Sequence, residues 1–276
     1  MEKKITQYYN PKQNCLVYVK SRANERFWDE HWGGMDTSVL YKPKVPPFSF
    51  VVNTTRKYLP ATSLILEGGA GLAQNSWYLH LCGYRTIALD FAPKTIDFLN
   101  LHRPEVQPIL GDVRSLPLGN ESIDGYWSLG VIEHFYDGYD KILREMHRVI
   151  RKGGFVFLTF PHMNKLRQVK AKKGLYEMWP ENQGSSMEFY QFALDDQRVV
   201  DALEWYGFRL IAKKFVDGLK GFKDEILFGN SWMQSIYEGR TFLVKIVRRL
   251  LDILLSPWAS HMALMVFKKK SHGIVL

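Results

Sequence analysis

The 276-residue sequence predicts an α/β fold built on a doubly wound, mostly parallel sheet. Short apolar runs typical of buried strands alternate with helical patterns between residues 64 and 161. Three of these runs end in or next to an acid, Glu67, Asp90 and Asp112, at intervals of 23 and 22 residues. Acids at the tips of successive parallel strands line one edge of the sheet, and ligands bind at that edge in folds of this class.

The predicted elements follow from the order of these patterns. Seven segments have the composition of strands: 64–67, 86–90, 107–111, 123–129, 155–160, 208–216 and 261–268. Helical patterns occupy 92–101, 138–151 and 194–206. The sheet is therefore expected to have seven strands, of which the first five are parallel and the last two form a C-terminal antiparallel pair.

The rest of the chain divides into an N-terminal segment and two insertions. Residues 1–60 are aromatic and loop-rich and are predicted to form an N-terminal aromatic cap, followed by a main domain of residues 61–276. Insertions at about 162–193 and 217–260 interrupt the main domain. Segments of this kind are typically lids or substrate-facing loops.

The composition excludes several classes of protein. The 37 basic and 28 acidic residues give a net charge of +9, which favours an anionic partner. Cys15 and Cys82 are the only cysteines, so neither a disulfide framework nor a zinc site is expected. The N-terminus lacks the apolar core of a secretion signal and no apolar run reaches 18 residues, so a cytoplasmic protein is expected. Nucleic acid is not expected as a partner, because no N-P-P-Y type motif and no RNA-binding module is recognisable.

The loop after the first strand candidate indicates which kind of ligand binds. In LILEGGAG, the apolar run ends at Glu67, and glycines at 68, 69 and 71 allow a tight turn and close approach of a ligand. A dinucleotide fingerprint would place its third glycine at Gln74, and Glu67 would put a negative charge beside the pyrophosphate. An acid at this position instead suits a cofactor that carries an ammonium group.

The two later acids suit the rest of such a cofactor. The Asp90 carboxylate can accept hydrogen bonds from both vicinal hydroxyls of a ribose, and Asp112 suits an exocyclic amine such as that of adenine. A ligand with an ammonium group, a ribose and an adenine but no phosphate is S-adenosylmethionine. The alternatives are a strand-end acid bound by loop amides for Glu67 and ordinary helix N-caps for Asp90 and Asp112.

Four segments in order carry a family resemblance between Leu64 and Phe160: LILEGGAGLA, ALDFAP, GDVRSLPLGNESIDGYWSLGVIEHF and HRVIRKGGFVFLTFP. Together they resemble the class I S-adenosylmethionine-dependent methyltransferases, in the style of the group that includes the ubiquinone/menaquinone-biosynthesis enzymes. The resemblance implies a Rossmann-like seven-stranded sheet and S-adenosylmethionine as cofactor.

The same resemblance implies a role for each motif residue. Glu67, Gly69 and Gly71 match the motif that holds the methionine end of the cofactor. The other implied cofactor contacts are Asp90 for the ribose, Phe91 beside the adenosine, Asp112 and Val113 for the adenine, and Ser128 and Leu129 for the methionine portion. Glu133 and His134 match the acid–histidine pair that opens the next loop.

Several residues are candidates for the reaction itself. His134 is the candidate general base because it titrates near neutral pH, and the alternative is a packing or positioning residue. Tyr190 and Phe192 are candidates to line the substrate or to face the sulfonium, and the alternative is that they pack a lid onto the core. Trp28 and Trp32 are interpreted as fixing an N-terminal helix rather than as a substrate wall.

Residues 242–255 form an amphipathic helical pattern within the second insertion. Leu243, Ile246, Val247, Leu250 and Leu254 share one face, and Lys245, Arg248, Arg249 and Asp252 share the opposite face. The favoured interpretation is a helix whose apolar face covers the sheet or closes the pocket. The alternative is a basic helix that lies on an anionic membrane surface or forms a dimer contact.

The predicted function is methyl transfer from S-adenosylmethionine to a small-molecule or lipid-like acceptor, at an oxygen, carbon or nitrogen that the sequence leaves open. The sulfonium already makes the methyl group a good electrophile, so the protein mainly has to align the reacting atoms and exclude water. The alternative is a non-catalytic protein of the same fold that binds the cofactor and acts as a regulator or scaffold. The oligomeric state is also left open.

Overall fold

The computed structural model describes residues 6–20, 24–33, 44–47, 49–180, 189–226, 239 and 241–271. The strands are β1 Thr6–Asn10, β2 Cys15–Val19, β3 Leu64–Gly68, β4 Arg85–Asp90, β5 Pro108–Leu110, β6 Ile123–Leu129, β7 Ile150–Pro161, β8 Glu177–Met178, β9 Phe189–Ala193, β10 Phe208–Val216 and β11 Met262–Lys269. The helices are α1 Glu25–Gly33, α2 Phe50–Tyr58, α3 Gln74–Leu81, α4 Pro93–His102, α5 Asp140–Val149, α6 Lys165–Lys172, α7 Asp196–Trp205, α8 Gly218–Ile226 and α9 Phe242–Ala259. Parts of both predicted insertions, residues 181–188 and 227–238, lie outside the described residues.

Seven strands form the main sheet, in the order β10-β11-β7-β6-β3-β4-β5. The strands β3, β4, β5, β6 and β7 are parallel to one another, whereas β11 is antiparallel to both β7 and β10. The predicted fold class is therefore confirmed as a mostly parallel seven-stranded sheet with an antiparallel C-terminal strand. Because β10 and β7 are each antiparallel to β11, β10 runs in the same direction as the five parallel strands.

The two faces of the main sheet bury alternate side chains under different helices. On one face, Leu66 and Tyr126 pack in the same cluster as Met146 of α5. On the other face, Ile65 and Trp127 pack with residues of α2 and α3. Since successive strand residues point to opposite faces, this alternation gives a sheet that is covered on both sides.

A second, smaller sheet was not predicted from the sequence. It has the order β8-β1-β2-β9 and joins the N-terminal hairpin to strands of the 162–193 insertion. We call these four strands the cap sheet. Phe189 and Phe192 of β9 belong to the same buried cluster as Val17 of β2 and residues of the main sheet. The cap is thus assembled from two distant parts of the chain. Helix α2 precedes residue 60 but packs on the main sheet, so the domain boundary after residue 60 stays a prediction.

The favoured interpretation of the 242–255 segment is wrong. Most of its apolar face is exposed: Ile246, Val247, Leu250 and Leu254 are 42%, 45%, 62% and 74% exposed. The side chain of Leu243 lies outside the described part of the structure. Helix α9 contacts α8 through its other side, where glycines of α8 allow close approach. Among the described residues, no helix is long and apolar enough to cross a membrane.

Candidate functional site

A cavity of about 1250 Å³ lies at the carboxyl ends of β3, β4 and β6. Pockets for drug-sized ligands are typically ~300–1,000 Å³, so this cavity has room for a cofactor and a second ligand. Its wall includes eight of the sequence-predicted site residues: Glu67, Gly69, Asp90, Phe91, Asp112, Val113, Leu129 and His134. Within the described chain, no group of three or more His, Cys, Asp or Glu side chains is placed to hold a metal ion.

Glu67 is buried at the carboxyl end of β3 and is 3% exposed. Its Oε2 accepts hydrogen bonds from the backbone nitrogen of Ser76 at 2.9 Å and from Ser76 Oγ at 2.6 Å, and its Oε1 accepts one from Asn75 Nδ2 at 3.2 Å. Burial raises the pKa of Glu67, and the negative charge of Asp90 raises it further. A carboxylate has about four acceptor positions, so Glu67 both caps the first turn of α3 and retains capacity for a donor in the cavity.

The glycine loop between β3 and α3 has a backbone that other residues adopt poorly. Gly69 and Gly71 have φ values of +75° and +50°. A Cβ at Gly69 would lie 2.6 Å from Val131 Cγ2, and a Cβ at Gly71 would lie 2.5 Å from the Trp32 ring. Both positions therefore need glycine for backbone conformation and for space.

Asp90 connects the glycine loop to the end of β4. Its Oδ2 accepts a hydrogen bond from the backbone nitrogen of Gly71 at 2.8 Å, and its Oδ1 accepts one from that of Ala92 at 3.0 Å. The N-cap residue of α4 is Ala92, so Asp90 is not an ordinary helix N-cap. Asp90 is 4% exposed, and burial raises its pKa. Glu67 and Asp90 thus give the cavity two buried acids whose charged forms a cationic or hydrogen-bond-donating ligand would stabilise.

Asp112 lies on the cavity wall in a turn rather than at a helix N-terminus. Its Oδ1 accepts a hydrogen bond from the backbone nitrogen of Arg114 at 2.8 Å, and its Oδ2 lies 2.6 Å from Arg114 Nη2. Burial raises the pKa of Asp112, but the hydrogen bonds and charge of Arg114 outweigh burial and lower the pKa overall. The guanidinium of Arg114 packs over the Phe135 ring at 5.2 Å. A ligand amine at this position would share the Asp112 carboxylate with Arg114. Arg114 was not among the site residues predicted from the sequence.

Of the two site residues predicted at the end of β6, Leu129 lies on the cavity wall and Ser128 does not. Leu129 lies on the cavity wall, followed by Gly130 and Val131. Ser128 is fully buried within the sheet, where it pairs with Gly68 of β3 and Leu158 of β7. Its hydroxyl has no hydrogen-bond partner among the described residues. Ser128 therefore does not form part of the cavity wall.

His134 lies on the cavity wall in a 3₁₀ turn after β6. Its Nδ1 is 2.8 Å from the backbone oxygen of Tyr190, which can only accept, so Nδ1 carries the proton and Nε2 is the free acceptor. Burial lowers the pKa of His134 to about 4. The preceding Glu133 is buried, and burial raises its pKa to about 8. At neutral pH His134 is therefore a neutral, weakly basic imidazole held in one tautomer.

The two aromatic candidates in β9 are not on the cavity wall. Tyr190 contacts the rings of His134 and Phe27 edge-on, at centroid distances of 5.2 and 5.8 Å. Phe192 is 5% exposed and stacks on Tyr136 in the core. Phe189, at the start of β9, lines the cavity instead. Phe189 and Phe192 lie on the same side of β9, with ring centroids 4.6 Å apart, because a register irregularity between Phe189 and Gln191 interrupts the alternation of side chains.

Helix α1 forms part of the cavity wall. This differs from the interpretation that its tryptophans only fix the N-terminal helix. Trp28 and Trp32 both line the cavity. The Trp28 ring meets His134 edge-on at 5.2 Å, and the Trp32 ring covers Gly71. The same helix brings Asp29 close enough to raise the pKa of Asp90. The cap thus covers the glycine loop directly.

Comparison with known proteins agrees with this geometry. Residues 66–158 match the family model described as a methyltransferase domain. A malonyl-(acyl-carrier protein) O-methyltransferase of Yersinia pestis is 30% identical over 96 residues, which are 35% of this chain and 36% of that protein. An enzyme of the same name from Methylococcus capsulatus is 33% identical over 108 residues, which are 37% of this chain and 38% of that protein. The match thus spans little more than a third of each of these relatives.

One solved structure covers nearly the whole chain. It is the 1,6-didemethyltoxoflavin-N1-methyltransferase of Burkholderia thailandensis with bound 1,6-didemethyltoxoflavin and S-adenosylhomocysteine. The TM-score is 0.55 at 13% identity, over 96% of this chain and 99% of that chain, which shows a common fold. Residues 66–158 are thus similar in sequence to a methyltransferase domain, and the chain shares its fold with this solved methyltransferase.

Proposed function

We propose that the protein binds S-adenosylmethionine in the cavity and transfers its methyl group to a small-molecule or lipid-like acceptor. The observation that carries the proposal is the pair of buried acids, Glu67 and Asp90, on either side of a glycine loop at the edge of the sheet. Burial raises the pKa of both carboxyl groups, so a ligand with an ammonium group and two vicinal hydroxyls would stabilise their charged forms. The methyltransferase match over residues 66–158 supports the same assignment.

In this proposal each wall residue contacts one part of the cofactor. Glu67 binds the ammonium group, with Gly69 and Gly71 giving the loop its shape, and Asp90 binds the ribose hydroxyls. Phe91 and Val113 contact the adenosine, Asp112 accepts from the adenine amine, and Leu129 contacts the methionine portion. The sulfonium supplies an electrophilic methyl group when the cofactor is bound, and the protein has to orient the acceptor and exclude water. The positions of Trp28, Trp32 and Phe189 on the wall suit these two tasks.

The test is calorimetric titration with S-adenosylmethionine, S-adenosylhomocysteine and adenosine. Asp90→Ala should weaken binding of all three by about 2–3 kcal/mol, because charge-assisted hydrogen bonds are of that size. Glu67→Gln should weaken binding of the first two ligands but not of adenosine, which has no ammonium group. Asp97→Ala is the matched control, because Asp97 is exposed on α4 and should leave every affinity unchanged.

Two results would count against the proposal. Unchanged affinities in Asp90→Ala would mean that Asp90 only holds the loop. Stabilisation of the protein by NAD but not by S-adenosylmethionine would assign the cavity to another cofactor. Incubation with labelled donor and quinone, sugar and lipid extracts, read by mass, then separates methyl transfer from the alternative of a non-catalytic cofactor-binding regulator or scaffold.

A further inference from the structure

We infer that the exposed apolar face of α9 docks the protein on an anionic lipid surface. We call the large apolar side chains of this face the α9 stripe: Ile246, Val247, Leu250, Ile253, Leu254 and Trp258. Their exposed fractions range from 42% to 74%. Apolar side chains that recur at helical spacing and stay in water are unfavourable unless another surface covers them.

The orientation of the α9 stripe is set by the opposite side of the helix. A Cβ at Gly218 would lie 2.2 Å from the Ser256 nitrogen, and a Cβ at Gly221 would lie 1.8 Å from the Ala259 oxygen. The backbones of α8 and α9 therefore approach as closely as glycine permits. Asp252 Oδ1 also accepts a hydrogen bond from the Leu219 nitrogen at 3.2 Å. These contacts hold the stripe away from the body of the described structure.

Charge around the α9 stripe indicates what covers it. Asp252 is the only acid in α9, and it faces α8. Lys245 and Arg249 are exposed and lie beside the apolar residues, because they are one turn apart along one border of the stripe. An antiparallel symmetric contact between two copies would put these basic borders on the same side of the contact, whereas anionic headgroups complement them. Trp258 at the C-terminal end is a residue type favoured where an apolar region meets water.

The pattern matches a helix that lies in the plane of a membrane surface rather than across it. Lys245, Arg248, Arg249 and Asp252 give the 18-residue helix four charged residues, too many for a spanning helix. Apolar burial and attraction to anionic lipid then act together, with roughly 1 kcal/mol expected for each basic residue near the surface.

The topology places both ends of the insertion that carries α9 at the edge of the sheet where the cavity lies. The insertion that carries α9 leaves the sheet after Val216 of β10 and returns at Met262 of β11. Because β10 runs parallel to β3, β4 and β6, its carboxyl end lies at the same edge as Glu67, Asp90 and Leu129. Docking through α9 would therefore hold the edge that carries the cavity near the lipid phase. This last step extends the proposed function to a lipid-like acceptor and rests on that function, whereas docking itself does not.

The experiment is co-sedimentation with vesicles of phosphatidylcholine alone or mixed with phosphatidylglycerol, at low salt. The wild type should pellet with the anionic vesicles only. Lys245→Glu with Arg249→Glu should lower the partition coefficient by roughly thirtyfold or more. Leu250→Ser with Leu254→Ser should lower it by roughly a hundredfold. Matched controls are Lys172→Glu with Lys173→Glu, at exposed positions at the C-terminal end of α6 and directly after it, and Leu101→Ser, where the leucine is 76% exposed on α4.

The outcomes separate this inference from the proposed function. The affinity for S-adenosylmethionine, measured by calorimetry, should be the same in every variant as in the wild type. If the wild type does not bind S-adenosylmethionine, the proposed function is wrong, but docking is not affected. A wild type that stays in the supernatant with anionic vesicles overturns docking. A dimer in sedimentation equilibrium that Leu250→Ser with Leu254→Ser dissociates also overturns it, because the α9 stripe would then bind a second copy. A monomer that does not pellet leaves the α9 stripe without a lipid partner and overturns docking as well.

Discussion

The cofactor side and the cap side of the cavity are held together in different ways. On the cofactor side, the contacts are short in sequence: Glu67 to Ser76 spans nine residues and Gly71 to Asp90 spans 19. On the cap side, the hydrogen bond from Asn14 to Asp195 spans 181 residues. The first side is therefore formed by one loop and two strand ends, while the second depends on segments that meet only in the folded chain. This difference determines which changes should damage binding and which should damage the fold.

The largest effect is expected from the buried ion pair that joins the two insertions. Arg167 is fully buried, and its Nε donates to Glu225 Oε1 at 2.9 Å. Glu225 Oε2 also accepts from Lys170 and Tyr176 at 2.7 and 2.6 Å. Arg167→Ala leaves a buried carboxylate short of one charge partner and should lower the free energy of unfolding by about 3–5 kcal/mol. Chemical denaturation measures the change.

Two comparisons make this prediction specific. The Arg26–Glu30 pair is exposed, with side-chain exposures of 87% and 65%, so Arg26→Ala should cause no measurable change. The double variant Arg167→Met with Glu225→Leu should be less destabilised than Arg167→Ala, because it removes both charges together. If Arg167→Ala is as stable as Arg26→Ala, the cap side does not depend on this pair.

An intermediate effect is expected where the two sides of the cavity touch. The Trp32 ring of α1 covers Gly71 of the glycine loop. Trp32→Ala should expose that loop to water and weaken S-adenosylmethionine binding by about 1–2 kcal/mol without changing the fold, because a large aromatic contact is lost at a partly exposed site. Calorimetric titration measures the loss. Trp205→Ala, at a tryptophan that is 70% exposed on α7, is the control and should keep full affinity.

Equal affinities in Trp32→Ala and Trp205→Ala would show that the cap is not part of the cofactor site. The cofactor side would then bind its ligand alone, and the comparison between the two sides would lose its functional meaning.

The same comparison explains how much could be predicted from the sequence. The strand ends with Glu67, Asp90 and Asp112 could be located because an apolar run, an acid and glycines are local signals. The cap sheet could not be predicted, because β2 pairs with β9 across a separation that no local pattern records. Tyr190 and Phe192 were misplaced relative to the cavity for this reason, and Phe189 was missed.

Helices α5 and α9 show a second limit of sequence reasoning. Both have an apolar face at helical spacing, and in α5 that face, with Ile142 and Met146, is fully buried. In α9 the corresponding face, with Leu250 and Leu254, is exposed. Periodicity identifies which residues share a face but not what lies against it. The glycines at 218 and 221 bring α8 against the other side of α9. They are the one sequence signal that could have indicated which side of α9 is packed.

The smallest effect is expected at His134, between the two sides. Burial lowers its pKa to about 4, and Nδ1 donates to the Tyr190 oxygen of the cap, so the imidazole is neutral above that pH and is a weak base. His134→Ala should reduce turnover by less than the hundredfold typical of a lost general base, about tenfold at most. The dependence of kcat on pH should show no inflection between pH 6 and 8, about the range in which an unperturbed histidine titrates. A hundredfold loss together with an inflection in that range, absent from the variant, would make His134 a general base whose pKa the bound ligands raise. A loss confined to donor affinity would instead make it a positioning residue that joins the cap to the cofactor side.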